Sequence, residues 1–468
     1  MNVIKKTLRE IANACGGRLS DLQYEGLQVH AVETDTRKLH EGCLFVPFAG
    51  EHFDGHDFVG KALEQGAQAA FWPEHREQPE VNGALILVDD PLLALQRLAA
   101  YVLRESGVRV VGVTGSNGKT TTKDMIAAVL SAKYKVHKTN GNYNNHIGLP
   151  LTILQMEPET EIIVLEMGMS SRGEIELLSS IACPEVAVIT NIGDAHLLQL
   201  GSREEIARAK VEIISSLREG GLLISNGDEP LIAQVLEEAS TVKPKQMAQI
   251  RFGFEQANDI YATGVMLNAR GTIFTTSVSH QSSYFIPLLG QHNVANALAA
   301  MAVAEYFGVP EQEIDKQLRN LVVTGMRTEV VEGVTGLTII NDAYNASPTA
   351  VRAALQLFDL MSGFRQKAVV LGDMLELGPE EVNLHRQIGH EFKGIKIDYL
   401  YTYGRLAAEI ASAASAYLPA DHVRAFQDKE ELAKALVSVL TPRDLVLVKG
   451  SRGMKLEEVV RSLRDTAL

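Results

Sequence analysis

The chain has 468 residues, and at about 150 residues per domain this length predicts three domains. Hydrophobic residues make up 46% and charged residues 22%, which excludes a mainly disordered or fibrous chain. The formal net charge of −14 excludes a protein that grips nucleic acid over its whole surface, yet leaves room for an anionic small substrate held by local amides and a metal.

The first residues become charged at Lys5 and Lys6 before any apolar stretch develops, so no signal peptide is expected. Leu8, Ile11 and Ala12 have helical spacing, and residues 43–48 alternate as a strand does. Beyond it, Glu51-His52-Phe53-Asp54-Gly55-His56 is a loop rich in acids and imidazoles. A strand over 84–88 ends at Asp89-Asp90-Pro91, a turn and helix start. Residues 1–89 are therefore expected to form a small mixed α/β domain. Cys15, Cys43 and Cys183 are odd in number and lack metal-ligand spacing, as expected of reduced thiols in a cytoplasmic protein.

From Pro91 the pattern alternates helix and buried strand. Residues 92–103 are amphipathic, 108–113 form an apolar strand, and a helix starts near Lys119. Further buried strands are predicted at 162–165, 186–190 and 222–225, the signature of a parallel sheet covered on both faces. Residues 248–288 are β-rich with turn signals and predict an antiparallel annex. A helix over 292–307 closes this central domain, 90–322. Its run 295–303 is the longest apolar-rich stretch and falls short of the roughly 20 residues that span a bilayer, so no membrane insertion is expected. Strands at 367–371, 399–403 and 445–448 predict a doubly wound, Rossmann-like third domain, 323–468.

The strongest local signal is Gly112-Val113-Thr114-Gly115-Ser116-Asn117-Gly118-Lys119-Thr120-Thr121, between a buried strand and a helix. Glycines let backbone amides close around phosphate, and the helix N-terminus adds partial positive charge. Lys119 can reach terminal phosphates, and the Thr120 hydroxyl suits Mg²⁺. The spacing departs from the common phosphate loop, because Val113 stands where its first glycine would be. A dinucleotide fingerprint would give Lys119 and Thr120 no role, so a nucleoside triphosphate is the better reading.

Neighbouring strand ends bring Glu166 and, after Thr190, Asn191, Asp194 and His196, which together could hold Mg²⁺. Singly, Glu166 could equally cap a helix and His196 lie in an ordinary loop. Lys210 lies among Glu204, Glu205, Arg208 and Glu212, which by itself predicts a solvated helix face. Asn293 and Asn296 share a face and could meet an adenine edge, but Asn293 could equally be an N-cap.

These motifs, with Thr34-Asp35-Thr36-Arg37, Gly141-Asn142-Tyr143-Asn144-Asn145-His146-Ile147-Gly148, Gly325-Met326-Arg327, Asn341-Asp342-Ala343-Tyr344-Asn345-Ala346-Ser347-Pro348 and Lys449-Gly450-Ser451-Arg452, occur in one order along nearly the whole chain. In that set the chain resembles the Mur ligases. The 341–348 motif marks the branch that adds D-alanyl-D-alanine to UDP-N-acetylmuramoyl-tripeptide, completing the pentapeptide precursor of peptidoglycan. The resemblance implies a UDP-substrate-binding first domain, an ATP-binding second, and a third that contacts both ATP and the dipeptide. It implies an acyl phosphate made from the tripeptide carboxylate, then attack by the dipeptide amine.

The same resemblance implies roles for individual residues. Gly115, Ser116, Asn117, Gly118, Lys119, Thr120, Thr121, Asn293 and Asn296 would bind ATP, with Arg327 at its phosphates and Asp342 near its ribose. Lys119, Lys210 and His196 would be catalytic. Thr120, Glu166, His196 and Lys210, if carbamylated, would hold two Mg²⁺ ions. Thr34, Asp35, Arg37, Asn142, Asn144 and Asn145 would meet the UDP-substrate, and Asn345, Ser347, Lys449 and Arg452 the dipeptide. ATP contacts on both sides of residue 323 imply that closure of the third domain completes the site. A monomer is expected.

Overall fold

The structure is a computed structural model that describes residues 4–50, 53–268, 271–279, 283–322, 325–326 and 328–466. Helix α1 (Leu8–Cys15) starts with a capping box: the Glu10 amide donates to Thr7 Oγ, and the Thr7 amide donates to the Glu10 carboxylate at 2.7 Å. It stops at Gly16, whose φ of +71° suits glycine. β1 (Lys6–Thr7) and β3 (Gln28–Val29) make a two-stranded ribbon. β2 (Arg18–Leu19), β4 (Ala31–Glu33), β5 (Cys43–Phe45), β6 (Ala69–Pro73) and β7 (Ala84–Val88) make a sheet in the order β2-β7-β6-β5-β4. The strand expected over 43–48 ends at Phe45, just ahead of Pro47, which has no amide to pair. After α2 (Val59–Glu64), α3 (Pro91–Ser106) begins at Asp90, which accepts from the amides of Leu92 and Leu93.

β8 (Arg109–Thr114), β9 (Val136–Lys138), β10 (Ile162–Glu166), β11 (Val186–Ile189), β12 (Gly221–Asn226), β13 (Met247–Gly253), β14 (Ile260–Asn268), β15 (Gly271–Thr276) and β16 (Tyr284–Ile286) form one nine-stranded sheet. Its order is β16-β15-β14-β13-β12-β11-β8-β10-β9. Around it run α4 (Lys119–Leu130), α5 (Gly148–Leu154), α6 (Glu174–Ala182), α7 (Leu197–Leu200), α8 (Arg203–Val211), α9 (Pro230–Glu237), α10 (Gln291–Tyr306) and α11 (Glu311–Arg319). One apolar cluster, including Leu8, Leu98, Leu149, Ile175, Ile206 and Ile232, joins α1 and α3 to α5, α6, α8 and α9.

The antiparallel annex expected over 248–288 is only partly realised. β13 pairs parallel to β12, because α9 returns the chain to the same edge of the sheet. β14 continues parallel to β13, and the antiparallel part is confined to β14-β15-β16.

The last region is a six-stranded sheet of β17 (Glu329–Glu332), β18 (Thr338–Asp342), β19 (Lys367–Gly372), β20 (Tyr399–Tyr403), β21 (Val423–Phe426) and β22 (Leu445–Lys449). Its order is β17-β18-β22-β19-β20-β21, with every pair parallel except β17-β18. α12 (Pro348–Leu360) follows β18 and packs Val351, Leu355 and Phe358 into a core that also takes Leu289 from the central region. Among the described residues no helix is long and apolar enough to cross a membrane, and Cys15, Cys43 and Cys183 are free thiols.

Candidate active site

The buried strand β8 ends in the phosphate loop, and register places the ends of its neighbours on either side. Glu166 of β10 lies opposite Val113, and Ile189 of β11 opposite Thr114. Residues just after β11 brace the loop. Thr190 Oγ donates to the Asn117 carbonyl at 2.6 Å, the Asn117 amide donates to Asn191 Oδ1 at 2.9 Å, and the Ser116 amide donates to the Asn191 carbonyl. Gly115, at φ +148°, leaves no room for a side chain, since a Cβ there would lie 1.9 Å from Thr190 Oγ.

Gly118 precedes α4 at φ +79°, and a Cβ on it would come 2.6 Å from Asn296 Oδ1. Asn296 therefore abuts the loop, while Asn293 accepts from Asn296 at 3.2 Å and donates to the Leu289 carbonyl at 2.9 Å. The N-cap of α10 is Gly290, so Asn293 is not the cap. Lys119 folds back to donate to the carbonyls of Gly115 (2.8 Å) and Ser116 (3.3 Å).

Glu166 is 3% exposed. Its Oε1 accepts from Asn144 Nδ2 at 2.9 Å, whereas Oε2 is buried without a hydrogen-bond partner and lies 3.9 Å from Lys123 Nζ. Lys123, one helical turn beyond Lys119, is itself buried and donates to the Thr139 carbonyl at 2.8 Å. Its pKa is lowered by burial, against the pull of Asp124 and Glu166.

The solvated face expected for Lys210 is not what forms. Lys210 is 1% exposed. The charges of α8 divide between two faces: Glu205 and Arg208 pair with one another, Glu205 also meets Arg172, and Arg208 meets Glu238, while Lys210 turns inward beside Ile206 and Ala207. Burial, reinforced by the charge of Lys119, holds the Lys210 pKa well below its ordinary value. His196, at φ +66°, is lowered to about 4 by burial and by Lys210 and Lys119. Its Nδ1 is buried without a hydrogen-bond partner.

Two buried atoms without a hydrogen-bond partner, Glu166 Oε2 and His196 Nδ1, are suitable donors for a divalent cation, the second lying 3.8 Å from Glu376 Oε2. Among the described residues no three His, Cys, Asp or Glu side chains form a ready-made cluster. A pair of such donors fits Mg²⁺, which takes one or two protein ligands and completes its shell with phosphate and water.

The C-terminal region closes the other wall. Asp342 Oδ2 accepts from Lys449 Nζ at 2.6 Å, and Lys449 also donates to the Asn345 carbonyl at 3.0 Å. Ser347 caps α12, with its Oγ accepting from the Ala350 amide. Residues 116–121, Asn191, His196, Asn293 and Asn296 on one side, and Asp342, Asn345, Ser347 and Lys449 on the other, line a single cleft of about 220 Å³. His292, Thr328 and the small face Ala350, Ala353 and Ala354 of α12 line it too. The residue pattern had not singled these out, although His292 lies inside the motif that carries Asn293.

Other expected site residues lie away from the cleft lining. Asp35 caps a short turn and pairs with Arg37, whose bonds bring its carboxyl to about 2. Thr34 sits beside them at the end of β4. Asn145 Oδ1 accepts from the amides of Ile147 and Gly148 at the start of α5, Asn144 is held on Glu166, and Asn142 is exposed. Arg452 pairs with Glu457 at 2.9 Å, and Arg327 lies outside the described residues.

Three family models match in succession: the Mur ligase family catalytic domain at 28–102, the Mur ligase middle domain at 113–304, and the Mur ligase glutamate ligase domain at 326–452. The UDP-N-acetylmuramoyl-tripeptide–D-alanyl-D-alanine ligase of Bacillus subtilis (strain 168) is 50% identical over 466 residues, covering 100% of both chains. The chain belongs to the Mur ligase family. This Mur ligase also superposes on a crystal structure of MurF from Acinetobacter baumannii with a TM-score of 0.89, at 31% identity, over 99% of this chain and 100% of that one. The MurF ligase from Thermotoga maritima, solved in complex with ADP, matches with a TM-score of 0.81, at 31% identity, over 93% and 97%.

Proposed function

We propose that this Mur ligase uses ATP and Mg²⁺ to join D-alanyl-D-alanine to UDP-N-acetylmuramoyl-tripeptide. The observation that carries the reading is the cleft in which the phosphate loop faces Asp342, Asn345, Ser347 and Lys449. A carboxylate oxygen of the tripeptide attacks the γ-phosphorus, the bond to ADP breaks, and an acyl phosphate results. The dipeptide amine then attacks the acyl carbon, loses its proton, and phosphate leaves.

Two anions must meet in the first step, so cationic groups decide whether it happens. Lys119 leaves the loop carbonyls to meet the terminal phosphate, while the amides of 115–121 hold the others. Asn293 and Asn296 contact the nucleotide beside the loop, and Asp342 meets the ribose with Lys449 fixing its carboxylate, while the family resemblance gives Arg327 to the phosphates. Thr120, Glu166, His196 and carbamylated Lys210 would hold two Mg²⁺ ions, which would supply charge that neutralises the phosphates. Burial favours Lys210 as the neutral amine, the form that bonds to CO₂ and releases a proton to become an anionic ligand.

Residues 1–89, through Thr34, Asp35 and Arg37, take the uridine diphosphate, with Asn142, Asn144 and Asn145 of the central region meeting the muramoyl end. Residues 90–322 carry the nucleotide, and 323–468 supply Asn345, Ser347, Lys449 and Arg452 to the dipeptide. The enzyme works as a cytoplasmic monomer. Phosphate release, measured with UDP-N-acetylmuramoyl-tripeptide and a panel of dipeptides, tests this. D-Alanyl-D-alanine is expected to give the fastest release together with the matching mass increase in the product. Phosphate release indifferent to the dipeptide would overturn the reading.

A further inference from the structure

The central and C-terminal regions also touch beside the cleft, through the segment that follows β11. Thr349 Oγ, in the first turn of α12, donates to Asp194 Oδ2 at 2.7 Å. A carboxylate at that place is favoured by the positive end of the helix as well as by the hydroxyl. The base of the contact is fixed. Arg203 lies 4.0 Å from Asp194 and is anchored by bonds to the Ile192 carbonyl (2.9 Å) and Glu229 (2.8 Å). Four residues past Asp194, Leu198 lies against Gly378, where a Cβ would come 2.5 Å from Leu198 Cδ1. The bare backbone of Gly378 thus admits Leu198, so the two regions meet here as well as at the Asp194–Thr349 bond.

We propose that Asp194 and Thr349 are positioning residues, a polar latch that holds the C-terminal wall over the phosphate loop when a nucleotide occupies the cleft. The proposal rests on the cleft being the ATP site. Asp194 does not line the cleft; it acts through α12, whose cap Ser347 and alanine face do. Thr349 lines the cleft, but its hydroxyl proton is committed to Asp194. A ligand that needs both walls gains from the latch, and one bound only by the first two regions does not.

The test measures affinity of the full chain for a non-hydrolysable ATP analogue with Mg²⁺, and separately for UDP-N-acetylmuramoyl-tripeptide, by calorimetry. Asp194→Ala and Thr349→Val should each weaken nucleotide binding about fivefold, the worth of one exposed charge-assisted hydrogen bond. The double variant should be no worse than either single one, Thr349→Ser should restore the wild-type value, and UDP-substrate affinity should not change. Wild-type nucleotide affinity in both single variants would overturn the latch, as would multiplied losses in the double variant or an equal loss of UDP-substrate binding. If Asp194→Ala lowers the melting temperature, the Thr349→Val and Thr349→Ser pair decides alone. A wild-type chain that bound no nucleotide would remove the parent reading and this one together, whereas binding that is indifferent to the variants removes only the latch.

Discussion

The two helices that face each other across the cleft begin in opposite ways. α4 starts after Gly118, which has no side chain with which to cap the first turn, and Lys119 and Thr120 follow at once. α12 starts after Ser347, which caps its own helix, with Pro348 in the first position, where a missing amide costs nothing. One end is left to an incoming anion and the other is satisfied internally. The partial charge of a helix end becomes a phosphate site only where the sequence declines to neutralise it.

Substituting the cation on the open end should break this contrast most severely. Lys119→Ala is expected to lower kcat for ligation by about a thousandfold, because the charge that draws carboxylate and γ-phosphate together is lost. Binding of the UDP-substrate, measured calorimetrically, should remain. Equal loss of both would mean that the bonds from Lys119 to Gly115 and Ser116 serve only to hold the loop.

A paired substitution at the two helix starts sharpens the comparison at smaller effect. Gly118→Ala forces a side chain into a left-handed residue and against Asn296, so ATP affinity should fall about tenfold and stability by about 1–2 kcal/mol. Ser347→Ala should cost about 1 kcal/mol in denaturant unfolding and raise KM for the dipeptide by more than it weakens ATP. If Ser347→Ala instead weakened ATP and spared the dipeptide, the two helix ends would have to exchange roles.

The frame of this site was legible in the residues because it depends on local chemistry. An apolar strand, a glycine run and Lys-Thr at a helix start define the loop wherever they occur together, and the strands that lead to Glu166 and Thr190 announced themselves by apolar runs. What stayed hidden depends on which way a side chain turns. α8 mixes charged and apolar residues, and its charges mask the face of Ile206 and Ala207; the partners Arg172 and Glu238, distant in sequence, show that Glu205 and Arg208 occupy the other face and leave Lys210 to the interior. The direction of β13 was likewise set by the short crossover α9, whose eight residues were outweighed by the turn-rich stretch that follows. The Asp194–Thr349 contact joins residues 155 apart and has no local signature.

The smallest predicted effect concerns the charge that the open side of the cleft imposes on its neighbours. His196 is held at about 4 rather than 6.5, first by burial, then by Lys210 and Lys119. Between those values the unfolded chain takes up a proton that the native imidazole refuses, so stability should fall as pH drops from 6.5 towards 4 and be insensitive to this group above 6.5. The ring should titrate near 4 by NMR. In the chain whose Lys210 is not carbamylated, Lys210→Met should raise the midpoint and Lys119→Ala should raise it less, but neither should bring it to 6.5, because burial remains. α12, across the cleft, carries no group that depresses His196; removing its cap with Ser347→Ala should leave the midpoint where it is. A midpoint near 6.5 in the unmodified protein would show that water reaches His196, and would take away its standing as a neutral donor held ready for a cation.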